Sequence, residues 1–195
     1  MTAPDRILLV GCGVLRREIR FLIEKNAWPL DTYFLDSALH SDLDKLSASL
    51  TAALEEHRGR DVIVFYGCCH PLMEQMLAQE HAIRTEGQNC ADMLLGNARF
   101  SDELANGAFF LLEEWARRWR FIVTKTFGTA NVEIIREIFR EDRKYLLCVR
   151  TPCSGDFTAE AERAGEFVGL PIRWTDATLD NLEAVLQRSI LQRVG

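Results

Sequence analysis

The sequence lacks the marks of a secreted, membrane-bound or nucleic-acid-binding protein. Its first apolar run, Ile7 to Val10, is far shorter than a signal sequence or a membrane-spanning helix. The formal net charge is -6, and no block of Lys or Arg is longer than a pair, so the positive surface that phosphate binding needs is missing. No stretch rich in Pro, Gly or Ser indicates a linker. We therefore expect a soluble cytoplasmic protein with no nucleic-acid or membrane partner.

The residues that are present predict a globular α/β fold. The 195 residues are 48% hydrophobic and 27% charged, a balance that allows a sizeable core. Short apolar runs alternate with segments of helical periodicity, which is typical of β–α units in a parallel sheet. The predicted strands are 6–10, 32–35, 61–65, 81–85, 107–112, 145–149 and 171–174. The predicted helices are 14–26, 41–57, 71–78, 91–95, 113–126, 129–140, 157–168 and 178–192.

This order of elements predicts a Rossmann-like parallel sheet flanked by helices. We interpret residues 1–195 as a single α/β domain, with lobes 1–112 and 113–195 as the alternative division. In such a sheet the loops at the carboxyl ends of the strands converge and form the binding crevice.

Cysteine is the residue type that points most directly to function. Six cysteines without an export signal are typical of metal ligands, catalytic thiols or core residues rather than disulfides. No pair has CxxC spacing, which argues against a zinc ribbon. Three of the cysteines lie on turns that follow a predicted strand, namely Cys12, Cys69 and Cys90. Each of these turns either contains glycine beside the cysteine or begins a helix. We therefore predict a three-cysteine site at the carboxyl edge of the sheet.

Three thiolates are typical ligands of zinc, copper(I) or an iron–sulfur cluster, and the sequence does not choose among these. Helix N-termini stabilise thiolates, so we expect depressed pKa values for these cysteines. Three ligands leave one coordination position open, which suggests chemistry or transfer rather than a purely structural role. The candidates for that position are Glu18, His40, Cys68, His70, Cys153 and an exogenous ligand.

Glu18 and His70 are predicted to act as catalytic or supporting groups beside the cysteines. His70 adjoins Cys69 and is a candidate ligand or general base, or a polar cap on the following helix. Trp115 and Trp119 lie one helical turn apart, a spacing more typical of core residues than of a stacking platform.

Glycines at the predicted turns are candidate cofactor-binding positions, namely Gly11, Gly13 and Gly67. Gly11 and Gly13 match half of the dinucleotide fingerprint GxGxxG. Arg16 stands where its third glycine belongs, so the match to a nicotinamide cofactor is weak.

Several motifs together resemble the domain of unknown function 1638 family over most of residues 7–175. They are Gly11-Cys-Gly-Val-Leu-Arg-Arg-Glu18, Leu39-His40, Tyr66-Gly67-Cys-Cys69, Asn89-Cys90 to Gly96, Arg99-Phe100 and Gly107-Ala-Phe-Phe-Leu. The family's second motif resembles Tyr-Gly-x-Cys-Gly, which selects Cys69 over Cys68. Its third resembles Asp-Cys, which falls on Cys90.

Three departures mark the chain as a divergent member of that family. His70 replaces a glycine, Asn89 replaces an aspartate, and the Leu39-His40 segment lacks the usual proline-containing continuation. Members are associated with corrinoid-dependent methyl transfer, so the resemblance implies a corrinoid-pathway protein as a partner.

The leading hypothesis is a cytoplasmic metal-binding protein that holds zinc or an iron–sulfur cluster and serves methyl, sulfur or metal-cofactor metabolism. One alternative is a metal-free enzyme with a cysteine nucleophile. The other is a non-catalytic accessory protein that delivers a corrinoid or a metal.

Overall fold

The structure, a computed structural model, describes residues 6–194, apart from the side chain of Gln79. Its strands are β1 Ile7–Cys12, β2 Leu30–Leu35, β3 Val62–Phe65, β4 Ile83–Arg84, β5 Ala108–Leu111, β6 Tyr145–Arg150 and β7 Ile172–Asp176. Its helices are α1 Arg16–Asn26, α2 Leu43–Glu56, α3 Met73–Gln79, α4 Cys90–Leu95, α5 Asn97–Ala105, α6 Glu113–Ala116, α7 Trp119–Phe127, α8 Val132–Asp142, α9 Thr158–Val168 and α10 Asp180–Val194. Residues 1–5 and 195 of the predicted domain lie outside the described part.

The predicted α/β class is confirmed, with parallel strands and flanking helices. The strands form two sheets, ordered β2-β1-β3-β4 and β5-β6-β7, and each strand pairing within them is parallel. A strand covered by helices on both faces reads as a continuous apolar run, and β1 and β3 are buried at every position. These two strands form the centre of the first sheet.

The division between the sheets differs from the predicted lobes. The second sheet begins with β5, before residue 112, and α10 returns to pack on α4, β3 and β4 of the first sheet. The Asn181 side chain donates a hydrogen bond to the Met93 carbonyl across this contact (2.8 Å). The first sheet is therefore covered by a helix that follows the second sheet in the chain.

Three helix predictions need correction. The segment 113–126 forms two helices rather than one, because Arg118 leaves helical geometry (φ -122°, ψ 13°) and pairs with Asp36 near the end of β2. The helix α5 is absent from the predicted elements, because it begins at Asn97 and only Gly96 separates it from the end of α4. The helix α2 begins at Leu43 rather than at residue 41, and Asp42 caps it with a carboxylate that accepts the Lys45 N–H (3.3 Å).

One group of contacts between elements of the first sheet and those of the second lies near the carboxyl ends of β1 and β2. Arg16 and Arg17 of α1 pair with Glu114 and Glu113 at the start of α6 (3.2 and 3.0 Å). The Trp115 indole donates a hydrogen bond to a carbonyl that follows β2 (3.3 Å). None of the helices in the described part of the chain has the length and apolar character needed to span a membrane.

Candidate functional site

The three predicted cysteines border one cavity of about 670 Å³ between the two sheets. Cys12 is the last residue of β1, Cys69 follows β3, and Cys90 is the first residue of α4. Cys12 and Cys90 are buried, with 5% and 3% of their surface exposed, and Cys69 is half-buried. The structure thus brings together three residues that are far apart in sequence.

A close backbone approach joins the loops that bear Cys69 and Cys90. The Cys68 N–H donates to the Gln88 carbonyl (2.8 Å). A Cβ atom on Gly67 would lie 2.2 Å from that carbonyl oxygen, so no larger residue fits there. Gly67 therefore sets the spacing between the two loops.

Arg84, which the sequence did not single out, holds the same loops from the outside. Its guanidinium donates to the carbonyls of Tyr66 (3.4 Å), Thr85 (3.1 Å) and Gly87 (3.0 Å). A further N–H meets the Glu74 carboxylate at 2.7 Å. The planar fork of arginine suits such a set of acceptors, and no local sequence pattern reveals it.

Asn89 caps α4 and so positions Cys90 at its start. The Asn89 side-chain oxygen accepts the N–H groups of Ala91 and Asp92, both at 3.0 Å. The Asp92 carboxylate accepts the Gln88 N–H in return (2.7 Å). This reciprocal pair fixes the turn from which the Cys90 side chain projects.

The expected depression of the thiol pKa values is wrong for two of the cysteines. Burial raises the pKa of Cys69 to about 11. The neighbouring Cys12 side chain, and then burial, raise the pKa of Cys90 well above its ordinary value. Mutual repulsion of clustered thiolates and the loss of hydration outweigh the helix N-terminus here. Both groups are neutral thiols near pH 7 in the metal-free protein.

His40 also borders the cavity with the cysteines. Its Nδ1 lies 2.8 Å from the Ser37 carbonyl, which can only accept, so Nδ1 carries the proton and Nε2 keeps its lone pair. Burial lowers the pKa of His40. A neutral imidazole whose other nitrogen donates to a backbone carbonyl is the usual form of a metal-ligating histidine.

The other candidates for the fourth position lie away from the cavity. Cys68 is exposed, and Cys153 is only partly buried in the loop after β6. His70 Nδ1 accepts the Leu72 N–H (3.0 Å) just before α3, as a cap would. The structure places none of these three in the wall that contains the cysteines.

Glu18 lies in a separate cavity of about 20 Å³, roughly the size of one water. It is buried and accepts a hydrogen bond from the Thr151 hydroxyl (2.7 Å). Burial raises its pKa. Gly13 borders this small cavity, whereas Gly11 packs against Phe65, where an added Cβ would come within 2.7 Å of the phenylalanine Cβ. The predicted glycines thus serve close packing, and Glu18 does not share the cysteine cavity.

The rest of the cavity wall is mostly aromatic and aliphatic and comes mainly from β5, α5, α7 and α8, but it also includes the polar residues Gln88, Asn89, Thr126, Asp142 and Arg143. Phe109, Trp119 and Phe139 pack with ring centroids 5.1 to 5.9 Å apart. Trp115 stacks obliquely on the His40 ring (5.0 Å). The predicted core tryptophans are therefore largely buried, and their rings also border the cavity. Other residues of this wall are Phe100, Leu104, Phe110, Ile122, Val123, Phe127 and Ile138.

The side chains at this site are of the types that bind a soft metal, but in this structure they are not arranged to bind one. Thiols and a neutral imidazole are the ligands that zinc and iron–sulfur clusters prefer. Within residues 6–194, no group of three or more His, Cys, Asp or Glu side chains is arranged so that it could hold a metal ion. Metal ligation therefore requires a movement, and half-buried Cys69, on its loop, is the cysteine with most room for it.

Comparison with known proteins gives one family. The family model described as "Protein of unknown function (DUF1638)" matches residues 34–186, a segment that includes Cys69 and Cys90 but not Cys12. No curated protein matches the chain. A crystal structure of an alpha/beta hydrolase from Novosphingobium aromaticivorans DSM 12444 is 12% identical, with a TM-score of 0.35 over 98% of this chain and 91% of that chain. A similarity this low supports no inference about activity.

Proposed function

This chain belongs to the family described as protein of unknown function (DUF1638), and we propose that it is a metal-binding protein whose Cys12, Cys69 and Cys90 hold zinc or an iron–sulfur cluster. The observation that supports the proposal most strongly is the shared cavity. Three cysteines from three separate loops border it, with Gly67 and Arg84 holding two of the loops together.

His40 is our choice for the fourth ligand. It borders the same cavity, and its Nε2 has a lone pair for a metal ion. In this proposal the Cys69 loop moves so that its thiol joins Cys12 and Cys90. Cys12, Cys69, Cys90 and His40 would hold the metal, and the buried thiols would have to give up their protons to ligate it, since only thiolates ligate.

The metal-free enzyme is the weaker alternative. A catalytic cysteine needs a low pKa and access to solvent. Cys69 has a pKa raised to about 11, and Cys90 is buried with a raised pKa. These are properties of inert thiols or of ligands that a metal deprotonates.

Cytoplasmic location and a link to corrinoid-dependent methyl transfer remain parts of the proposal. Six free cysteines suit a reducing compartment. An accessory protein that delivers a metal or a corrinoid to a partner would use the same thiols, and it would differ from an enzyme by having no turnover of its own.

Elemental analysis and ultraviolet–visible absorption of protein purified without oxygen test the metal site. Zinc gives one equivalent per chain and no visible band, whereas a cluster gives iron, sulfide and visible absorption. The single variants Cys12→Ser, Cys69→Ser and Cys90→Ser each lose most of the metal. His40→Ala lowers the affinity for zinc by more than about 10- to 100-fold, because loss of even an outer-shell partner costs that much and His40 is proposed as a direct ligand.

Cys68→Ser is the matched control, because Cys68 adjoins Cys69 but is exposed. It keeps the wild-type metal content. Circular dichroism of every variant separates loss of metal from loss of fold. Metal-free wild-type protein of full stability, or equal metal content in the Cys68→Ser and Cys69→Ser variants, would contradict the proposal.

A further inference from the structure

The cavity beside the cysteines is much larger than a metal ion requires. Zinc lies about 2.3 Å from each thiolate sulfur, so its ligands enclose little space. The volume here, about 670 Å³, falls within the range of small-molecule sites. The space is therefore large enough to hold an organic molecule.

The polar residues of the cavity wall fall into two groups that lie near opposite ends of β5. The first group is the cysteines with His40, Gln88 and Asn89, and the second is Thr126, Asp142 and Arg143. The His40 ring contacts Trp115, which follows the end of β5 (5.0 Å). Arg143 precedes Tyr145, which pairs with Ala108 at the start of β5. A strand of four residues such as β5 spans roughly 10 Å.

Between the two groups the wall is aromatic and aliphatic. Phe109, Trp119 and Phe139 pack on one another with ring centroids 5.1 to 5.9 Å apart, so this part of the wall is rigid. The Trp119 indole nitrogen and the Tyr66 hydroxyl are buried, so neither is open to a ligand. A molecule that lies along this part gains free energy chiefly because apolar surface leaves water.

Arg143 offers the one cationic side chain among the described residues that border the cavity. Within residues 6–194 its half-buried guanidinium forms no ion pair and donates one hydrogen bond, to the Asp142 carbonyl (3.1 Å). Its backbone N–H donates to the Phe139 carbonyl (2.9 Å), which fixes its place at the end of α8. The exposed Asp142 carboxylate opposes an anion here, and the exposed Lys144 on the other side offsets that charge. The remaining N–H groups of the guanidinium suit a carboxylate, which accepts two of them at once.

We infer that the cavity binds an amphipathic carboxylic acid whose apolar body lies along β5 and whose carboxylate pairs with Arg143. An aryl or alkyl carboxylate roughly 10 Å long has this form. Its apolar end then points toward the cysteines. The inference goes beyond the proposed metal site by naming the class of molecule that shares its cavity, and binding of the acid does not depend on the metal.

Three probes test the inference by isothermal titration calorimetry. 4-Phenylbutanoate has both the ring and the charge, 4-phenylbutanamide has nearly the same shape without the charge, and butanoate lacks the ring. Wild-type protein binds 4-phenylbutanoate about five- to tenfold more tightly than the amide, the ratio expected for one hydrogen-bonded charge. It binds butanoate at least about tenfold more weakly than 4-phenylbutanoate, because the buried ring is lost. Absence of binding, or equal affinities within either pair, overturns the inference without any variant.

Arg143→Gln removes the charge and keeps a polar side chain. In this variant the preference for the acid over the amide falls to about one, while affinity for the amide stays within about twofold. Lys144→Gln is the matched control, since Lys144 adjoins Arg143 and is exposed but does not border the cavity, and it keeps the preference. A preference that persists in Arg143→Gln, or that falls equally in both variants, overturns the role of Arg143.

The same titrations on chelator-treated protein separate this inference from the metal proposal. A preference for the acid that disappears with the metal assigns the carboxylate to the metal and overturns the inference. Protein that purifies without metal yet prefers the acid contradicts the metal site alone. Protein that holds metal through the three cysteines but does not prefer the acid contradicts the ligand class alone.

Discussion

Replacing Gly67 by alanine tests whether the packing of two loops positions the cysteines. The new Cβ would lie 2.2 Å from the Gln88 carbonyl oxygen, and side chains keep at least 3.0 Å from such an atom, so the loops must separate by about 0.8 Å. That movement breaks the Cys68 N–H bond to the same oxygen, which is worth about 1 kcal/mol. Overpacking adds about 1–3 kcal/mol. We expect Gly67→Ala to lower the free energy of unfolding by about 2–4 kcal/mol.

Urea unfolding of wild-type and variant protein measures this loss, and thermal unfolding should fall by roughly 4–16 °C for a chain of this size. Metal content should fall as well, because the separated loops bear Cys69 and Cys90. Gly155→Ala is the control, since its Cβ would meet no backbone atom and only side-chain ends, the Glu113 carboxylate at 3.3 Å and the guanidiniums of Arg117 and Arg17 at 3.8 and 3.9 Å, and it should change stability by less than about 1 kcal/mol. A Gly67→Ala protein with wild-type stability and full metal content would refute the reasoning.

Three further predictions follow from other contacts. Arg84→Lys keeps the charge, but its single terminal nitrogen cannot reach both the Glu74 carboxylate and the three loop carbonyls, so it should cost about 1–3 kcal/mol in urea unfolding. Arg58→Lys, at an exposed ion pair, should leave the free energy of unfolding nearly unchanged, and a loss equal to that of Arg84→Lys would contradict the role of Arg84. Burial raises the pKa of Glu18 above its ordinary value of 4.5, so the folded protein holds this proton more tightly than the unfolded chain. The free energy of unfolding of wild-type protein should therefore fall, relative to that of Glu18→Gln, as pH rises from 4.5 through the raised pKa. Parallel pH profiles of unfolding for the two proteins would count against this. In chelator-treated protein at pH 7, iodoacetamide should modify exposed Cys68 before Cys69, whose pKa is about 11, and peptide mass spectrometry showing equal rates would disagree.

The sequence predicts most of the local structure but not the division into two sheets. The apolar runs of β1 and β3 are unambiguous because both strands are covered on two faces. Each sheet is built from the same β–α pattern, and the pattern does not reveal where one sheet stops. The break between α6 and α7 is also invisible locally, since it depends on the pairing of Arg118 with a residue of the first half.

The convergence of the cysteines could be predicted because parallel strands end at a common edge. Their pKa values could not, since the helix N-terminus is visible in the sequence whereas burial and the proximity of Cys12 to Cys90 are tertiary properties. Arg84 was missed for the same reason, because its partners are carbonyl groups that every residue has. The position of Glu18 in the first motif predicts a place beside the cysteines, yet α1 directs its side chain toward Thr151, whose hydroxyl donates a hydrogen bond to it.

The return of α10 to the first sheet has a consequence for how the protein is made. Cys12, Cys69 and Cys90 leave the ribosome before the second sheet, and α10, which covers α4, follows both sheets. About 90 residues separate the start of α4 from the start of α10, which takes roughly 5–20 s of synthesis. During that interval the nascent chain lacks the helix that will cover α4, so a metal ion or an oxidant reaches Cys90 more easily than in the finished protein. Metal loading during translation would therefore avoid the barrier that burial imposes afterwards.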